Sequence, residues 1–597
     1  MITLPPLAVL GQLTLLQLAI LGGYFALLLS IAFAFRRMNR DGDDYFRSGS
    51  QGSWWLVGMS TYMASFSAYT FTGLAGAAYV AGYSASTNFI ANIIGFGLNG
   101  LFLAAWLRQL RVTTAPEVIR DRFGPRAELL YSVVGNFFGV LYAAMTLYTL
   151  CIFASTVFGL PLIPTIITVG AVVMFYSVLG GRWAVMGADF VQGMILIPIT
   201  VLLAWLCLRA VGGVDGFFTA VESRGLTDEF AFIKPPREDL NYNFTAPWVL
   251  ASTIVLLCDR LSLNAAPRYF SCRDGRHASG AGWMVAGLMA ASTVVFFLPP
   301  MVARLLYSDA VAAAAVPKAA EASYAVASMQ LLPEALMGLM VVAIFSATLS
   351  TMDSGLNLFA AVFAKNIHPA YRRWRGQPPV EGAALVRVGE GLTFLSGCTI
   401  VGIACYFAAA EGKGAFELML ELGALLGIPM STPLVLGLFT RRAPRRAAVW
   451  SMLSALGVSF VGYLTGRVDF VRDLLGAWTY DQKVFVTILT GVVGYFATYL
   501  ARRDSPEDQA RTAEFYRRMR TPVDFEREVG SRPGQRSQAW ILGWFSLATG
   551  AAVSLLVFPT EGWAWNGKLG VLSIAGFQML IGSVLLWAGR RKRTAAT

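Results

Sequence analysis

A chain of 597 residues that is 56% hydrophobic, only 14% charged and has a mean hydropathy of +0.59 is not a soluble globular protein, in which charged residues make up about 25%. The net charge of +12 does not point to nucleic acid, because the Arg and Lys residues sit in short loops between apolar runs, the pattern of membrane topology. Those runs are roughly 20 residues long, enough to cross a core of about 30 Å, and too long and too evenly apolar for barrel strands, so an all-α integral membrane protein follows.

In chain order the runs predict about fifteen transmembrane helices. The first, 13–35, lacks a basic region before it, exceeds a signal-peptide core and is followed by Arg36 and Arg37, so it reads as a retained helix. The next five are 54–80, 86–107, 128–157, 161–179 and 188–211. A loop over 212–245 separates them from 246–264, 279–303, 334–364, 384–409 and 415–440. The last four are 447–465, 482–500, 538–558 and 568–589, with a polar loop over 502–537. Assigning alternate loops to one side places about 34 of the 47 Lys and Arg residues there, including Arg441, Arg442, Arg445 and Arg446. That side is expected to be cytoplasmic, with the N-terminus outside, the C-terminus inside and the chain in a plasma (bacterial inner) membrane.

The same reading narrows function. The six Cys lie mostly in apolar runs with no CxxC, and the two His lie in loops, so a thiol or His metal site is not expected. No P-loop GxxxxGK[ST] occurs, which counts against ATP-driven transport. No nucleophile–base set occurs, which counts against an enzyme.

Polar groups at membrane depth are costly and therefore candidates for function. In 54–80, six of the 13 residues from Ser60 to Thr72 are Ser or Thr. Such a stretch has poor helix propensity and suits either a broken, cation-coordinating helix or close helix packing. In 334–364, Ser350, Asp353, Ser354 and Asn357 share one helical face, an oxygen-only set suited to a hard cation. Asp189 opens the 188–211 run, either as a site residue or as an acid complementing the helix dipole. Asp259 and Arg260 read as a gating pair or an interfacial, snorkelling pair, and Glu417 and Glu421 as a solvated helix end.

Together these segments resemble the sodium/solute symporter family, which includes sodium–glucose, sodium–proline and sodium–sialic acid transporters. The resemblance covers roughly residues 40–450. The run W-x-x-G-x-S…S-A-x-T-F-x-G appears as Trp55, Gly58, Ser60, Ser67, Ala68, Thr70, Phe71 and Gly73. The loop motif T-x-P-E appears as Thr114, Pro116 and Glu117, ending in Arg122, Phe123 and Gly124. Gly180, Gly181, Asp189 and Gln192 match the start of the family's fifth core helix, and Ala347, Ser350, Thr351, Ser354, Leu356 and Asn357 match its eighth.

The resemblance implies a leucine-transporter-like core of 5+5 inverted repeats, 51–211 and 246–441, with the first and sixth core helices broken. One extra helix would precede it in 1–50 and four would follow in 442–597. It implies sodium as the coupling ion, held by the carbonyls of Met63, Phe66 and Ala347 and the hydroxyls of Ser350 and Thr351. Some members carry an additional cation site, which would fall on Asp189, Ser350, Asp353 and Ser354; Asp353 stands where those members usually have a small hydroxyl residue. Ser67 and Thr70 are the substrate candidates. The implied partners are a small polar solute, sodium and the lipid bilayer, with no nucleic acid and no obligate protein partner. A proton-coupled symporter of the same fold and a non-transporting membrane sensor are the alternative readings.

Overall fold

The computed structural model describes residues 15–36, 50–112, 115–177, 182–235, 244–263, 266–314, 316–362, 367–377, 383–409, 414–500, 504–528, 534–558 and 565–590. Among them all regular structure is helical; the only β pairing is a single bridge between Gly52 and Cys272. Ten helices are long and apolar enough to cross a membrane, and four shorter apolar helices accompany them. The elements that build the site are α1 (Leu15–Arg36), α2 (Trp54–Met63), α3 (Ala68–Phe71), α4 (Gly73–Ala81), α5 (Thr87–Leu98), α6 (Ala104–Gln109), α7 (Ala115–Phe123), α8 (Pro125–Phe158), α9 (Leu162–Ser177) and α10 (Arg182–Ala210). They continue with α11 (Ala246–Leu261), α12 (Ala266–Phe270), α13 (Gly275–Leu306), α14 (Ser323–Leu331), α15 (Glu334–Val362), α16 (Ala383–Ala409), α17 (Ala415–Leu422) and α18 (Ile428–Phe439). The rest are α19 (Ala447–Leu464), α20 (Tyr480–Ala497), α21 (Pro506–Arg520), α22 (Gly534–Leu555) and α23 (Trp565–Arg590).

Two helices are interrupted. The 54–80 segment forms α2, breaks over 64–67 and resumes as α3 and α4. The break falls where hydroxyls crowd, because Ser and Thr side chains compete for backbone carbonyls. Thr61 bonds the Val57 carbonyl, Ser65 the Thr61 carbonyl and Thr72 the Ala68 carbonyl. The second interruption separates α11 from α12. α2 packs between α10 and α13, while α3 packs on α8 and α15. α5 packs between α11 and α13. The interrupted segments thus lie inside the bundle. α19 pairs with α20 and α22 with α23 as helical hairpins at its edge.

Aromatic packing fixes the first break. Phe66 is 1% exposed, and its ring meets Tyr62 at 4.6 Å, Phe296 at 4.8 Å and Phe89 at 5.7 Å. Tyr62 is anchored by a 2.6 Å hydrogen bond with Ser292 on α13. The chain therefore leaves the α2 axis against a rigid aromatic wall rather than into free space.

Candidate functional site

At the break the backbone offers oxygens and takes side-chain partners from α15. Met63 O already accepts from Phe66 N at 3.0 Å. The Thr351 hydroxyl donates to Ala347 O at 3.1 Å and lies 3.4 Å from Phe66 O. One turn away, Thr348 Oγ1 accepts from Ala68 N at 2.9 Å, satisfying the orphan donor that opens α3. Of the expected sodium ligands, the structure therefore brings together Phe66, Ala347 and Thr351, with Met63 in the same turn as Phe66. The side chains of Ser350, Asp353 and Ser354 lie outside the described residues.

Asp189 is 0% exposed and accepts from Ser60 Oγ at 2.5 Å, which ties α10 to α2. It lies seven residues into α10, so its role is not to complement the helix N-terminus. The buried Arg268 of α12 feels its charge. Asp189 thus sits against the last turn of α2, four residues before the break.

A cavity of about 490 Å³ runs beside the break. Ser67 and Thr70 line it, each 5% exposed. Thr351 lines it too, so the oxygen cluster and the cavity are continuous. At one end Phe244, Trp248, Phe416 and Tyr480 form a lid. Phe244 meets Trp248 at 4.5 Å and stacks on Phe416 at 6.2 Å, and Trp248 meets Tyr480 at 5.6 Å. At the other end the lining is Ala115, Pro116 and Ile119 of α7, on the arginine-rich face.

Several lining residues were not singled out from sequence. Ser132 and Asn136, spaced i, i+4 on α8, present Oγ and Oδ1 atoms that are buried without a partner, as does the Trp248 indole N–H. A buried unpaired polar atom is costly, so these are where a polar solute would find partners. Their only sequence signal was a small polar pair in an apolar run. Asp259 and Arg260 line the cavity, with side chains 32% and 21% exposed. Glu417 is not a solvated end, being 14% exposed and paired with Lys318 at 3.6 Å.

The comparisons agree with this arrangement. The sodium:solute symporter family matches residues 45–455. The chain belongs to that family, and it is therefore a sodium-coupled symporter. The human sodium/myo-inositol cotransporter 2 is 26% identical over 497 residues, covering 77% of this chain and 70% of the relative. The sodium/sialic acid symporter of Aliivibrio fischeri is 22% identical over 497 residues, covering 81% and 93%. A substrate-bound, outward-open structure of a Na⁺-coupled sialic acid symporter shares the fold, with a TM-score of 0.68 at 20% identity over 82% of this chain and 99% of that one. These relatives are transporters by name, and none is an enzyme.

Proposed function

We propose that this chain carries a small polar organic solute with sodium by alternating access, through a core of two inverted five-helix repeats within fifteen membrane crossings. The arginine-rich face is cytoplasmic, the membrane is the plasma or bacterial inner membrane, and the N-terminus is outside. The observation that carries the reading is the Thr351 hydroxyl, between the Phe66 and Ala347 carbonyls and open to the cavity that Ser67 and Thr70 line.

Sodium is held by Met63, Phe66, Ala347, Ser350 and Thr351, bridging the broken helix to α15. Binding there fixes the break and with it the solute contacts, so ion and solute strengthen each other reciprocally. The cation drives the cycle only by preferring one access state. A membrane potential of 100 mV adds about 2.3 kcal/mol per charge moved. Asp189, buried with Ser60, supplies the anion for a further cation with Ser350, Asp353 and Ser354. The lid of buried aromatics and the reach of the cavity to α7 support an inward-facing state.

The test is tryptophan fluorescence of the full chain in liposomes, titrated with Na⁺ against choline. Wild type should respond saturably, and Ser350→Ala/Thr351→Ala should not. An unchanged response in the double variant would remove sodium from this site.

A further inference from the structure

Among the described residues, Asp259 and Arg260 are the only charged side chains that line the cavity. Both stand at the end of α11, where that helix breaks. Arg260 is laid flat along α5 because position 95 is glycine: a Cβ there would come within 2.7 Å of the Arg260 Cβ. The guanidinium lies over Phe96 at 5.4 Å and donates through Nε to Asn92 Oδ1 at 2.5 Å. Asn99 Nδ2 donates to the Arg260 carbonyl at 3.2 Å. Asn92, Gly95 and Phe96 of α5, with Asn99 just beyond it, thus hold Arg260 in one pose beside the cavity it lines.

The Nη edge of Arg260 is incompletely used. Nη1 meets Asp259 Oδ2 at 3.3 Å, longer than the roughly 2.7–2.9 Å of a close charged pair, and among the described residues the hydrogen bond found for the guanidinium is the one from Nε. A planar guanidinium fork so presented fits a carboxylate bidentately. Asp259, on the adjacent residue, offers the opposite charge beside it.

We propose that this pair makes the cavity a site for a zwitterionic solute, one that carries a carboxylate close to an ammonium or secondary ammonium group, as an α-amino acid does. The proposal rests on the symport reading of the cavity and names its substrate class. Arg260 takes the carboxylate and Asp259 the ammonium. Three electrostatic comparisons favour this. A neutral polyol would leave the pair as it is and gain only neutral hydrogen bonds. A carboxylate alone would set a second negative charge against Asp259 in a medium where charge is costly. A zwitterion answers both poles and brings no net charge to membrane depth. Ser132 and Asn136 remain for the solute's polar side chain, and the Trp248 N–H for an acceptor on it.

The experiment uses full-length chain in liposomes with saturating Na⁺, and tryptophan fluorescence as the readout. The ligands are the twenty proteinogenic L-amino acids, myo-inositol, L-lactate and ethanolamine. At least one amino acid should give a saturable, Na⁺-dependent response, with no response to the other three. Arg260→Gln should weaken that affinity at least 30-fold, Arg260→Lys less, and Asp259→Asn at least 10-fold. Each variant must keep the wild-type response to Na⁺ alone, which shows that the fold and the cation site survive. Saturable binding of myo-inositol that Arg260→Gln leaves unchanged overturns the proposal while sparing symport. Silence of all twenty amino acids, with Na⁺ still answering, does the same. A wild type blind to Na⁺ removes the symport reading and this proposal with it.

Discussion

The two ends of the cavity are framed by different chemistry. At the far end the lid is aromatic, with Phe244, Trp248 and Phe416 buried and Tyr480 half-buried. At the arginine-rich end the elements are strapped by guanidinium groups. α21 crosses beneath the bundle and joins α7 through Arg518 and Asp121 at 2.7 Å, and the 440–446 turn through Arg445 and Asp508. Arg111 grips Glu528 through Nε at 2.6 Å and Nη2 at 2.7 Å. An aromatic lid can part without stranding a charge. An arginine strap gives up hydrogen bonds at every step, and most of its pairs are exposed enough to exchange with water. The difference teaches where stability is stored and where motion is cheap.

The largest effect should come from an arginine at the arginine-rich end that water does not reach. Arg122 is 2% exposed and packs on Phe123 at 4.7 Å. It donates to the Thr440 carbonyl at 2.9 Å, the Ala443 carbonyl at 3.1 Å and the Tyr516 hydroxyl at 3.2 Å. It thereby helps to satisfy carbonyls just beyond the end of α18, where the helix supplies no donor; the Tyr516 hydroxyl shares the Thr440 carbonyl at 3.0 Å. Arg122→Ala should cost about 3 kcal/mol, seen as a lower thermal midpoint in detergent. A wild-type midpoint would move the anchor of this end elsewhere.

Next in size is a carboxylate behind the aromatic lid. Glu321 precedes α14 and is 4% exposed, packed against Gly76 of α4. Its Oε1 accepts from Ala415 N, the first residue of α17, next to the lid's Phe416, and its Oε2 is buried without a partner. Burial raises its pKa from the ordinary 4.5 to about 7, against the opposing pull of the Ala415 and Phe416 N–H groups and Lys318. Between those values the folded chain holds a proton that the unfolded chain has released. The contribution is complete below pH 4.5 and is lost as pH rises through 7, leaving the lid less firmly held above neutrality. The thermal midpoint of wild type should fall from pH 5.5 to 8 by the equivalent of about 2 kcal/mol or less. Glu321→Gln should flatten that dependence; an equally steep profile in the variant would place the titrating group elsewhere.

Much of this was legible in the sequence and some was not, for physical reasons. The break over 64–67 could be read because hydroxyls cluster locally, and helix formation is decided over a few residues. The Thr351–Phe66 approach is 285 residues long-range, and only resemblance pointed to it. The lid joins Phe244, Trp248, Phe416 and Tyr480, each unremarkable in its own apolar neighbourhood. Arg260 was visible as a charge in an apolar run, but its depth was not. Its pose depends on Gly95, Asn92 and Phe96, residues of another helix that carry no charge of their own. Glu321 fell in a predicted loop, where nothing in the local pattern marks a carboxylate as buried.

The lid itself offers a third test. Trp248→Ala removes the ring that contacts both Phe244 and Tyr480. A cysteine placed at Ser252, which lines the cavity beneath it, should then react faster with a membrane-impermeant thiol reagent added to intact cells. Peptide-resolved mass spectrometry should find roughly a tenfold rise, the equivalent of about 1.4 kcal/mol of closure. No rise would mean that Phe244, Phe416 and Tyr480 close this end without Trp248.

The smallest effect separates the exposed straps from Arg122. Arg111 stands at the turn between α6 and α7 with φ at +59°, a left-handed conformation that costs a non-glycine residue about 1 kcal/mol or more. The strap holds it there, since its guanidinium also donates to the carbonyls of Gln109 at 2.7 Å and Pro522 at 3.0 Å. Its carboxylate partner is replaceable, because the two side chains keep 27% and 34% exposure and such pairs contribute about 0–1 kcal/mol. The hydrogen bond from Arg111 holds the Glu528 pKa below its ordinary value against a lesser effect of burial, so the pair contributes above that value and fades as pH falls. Glu528→Gln should therefore lower the midpoint slightly in low salt at neutral pH, and by nothing measurable in 1 M NaCl, where the Debye length is about 3 Å. A loss that persists in high salt would mean that this pair is as dry as Arg122. The arginine-rich end would then be a uniformly buried clamp rather than one anchor surrounded by exchangeable straps.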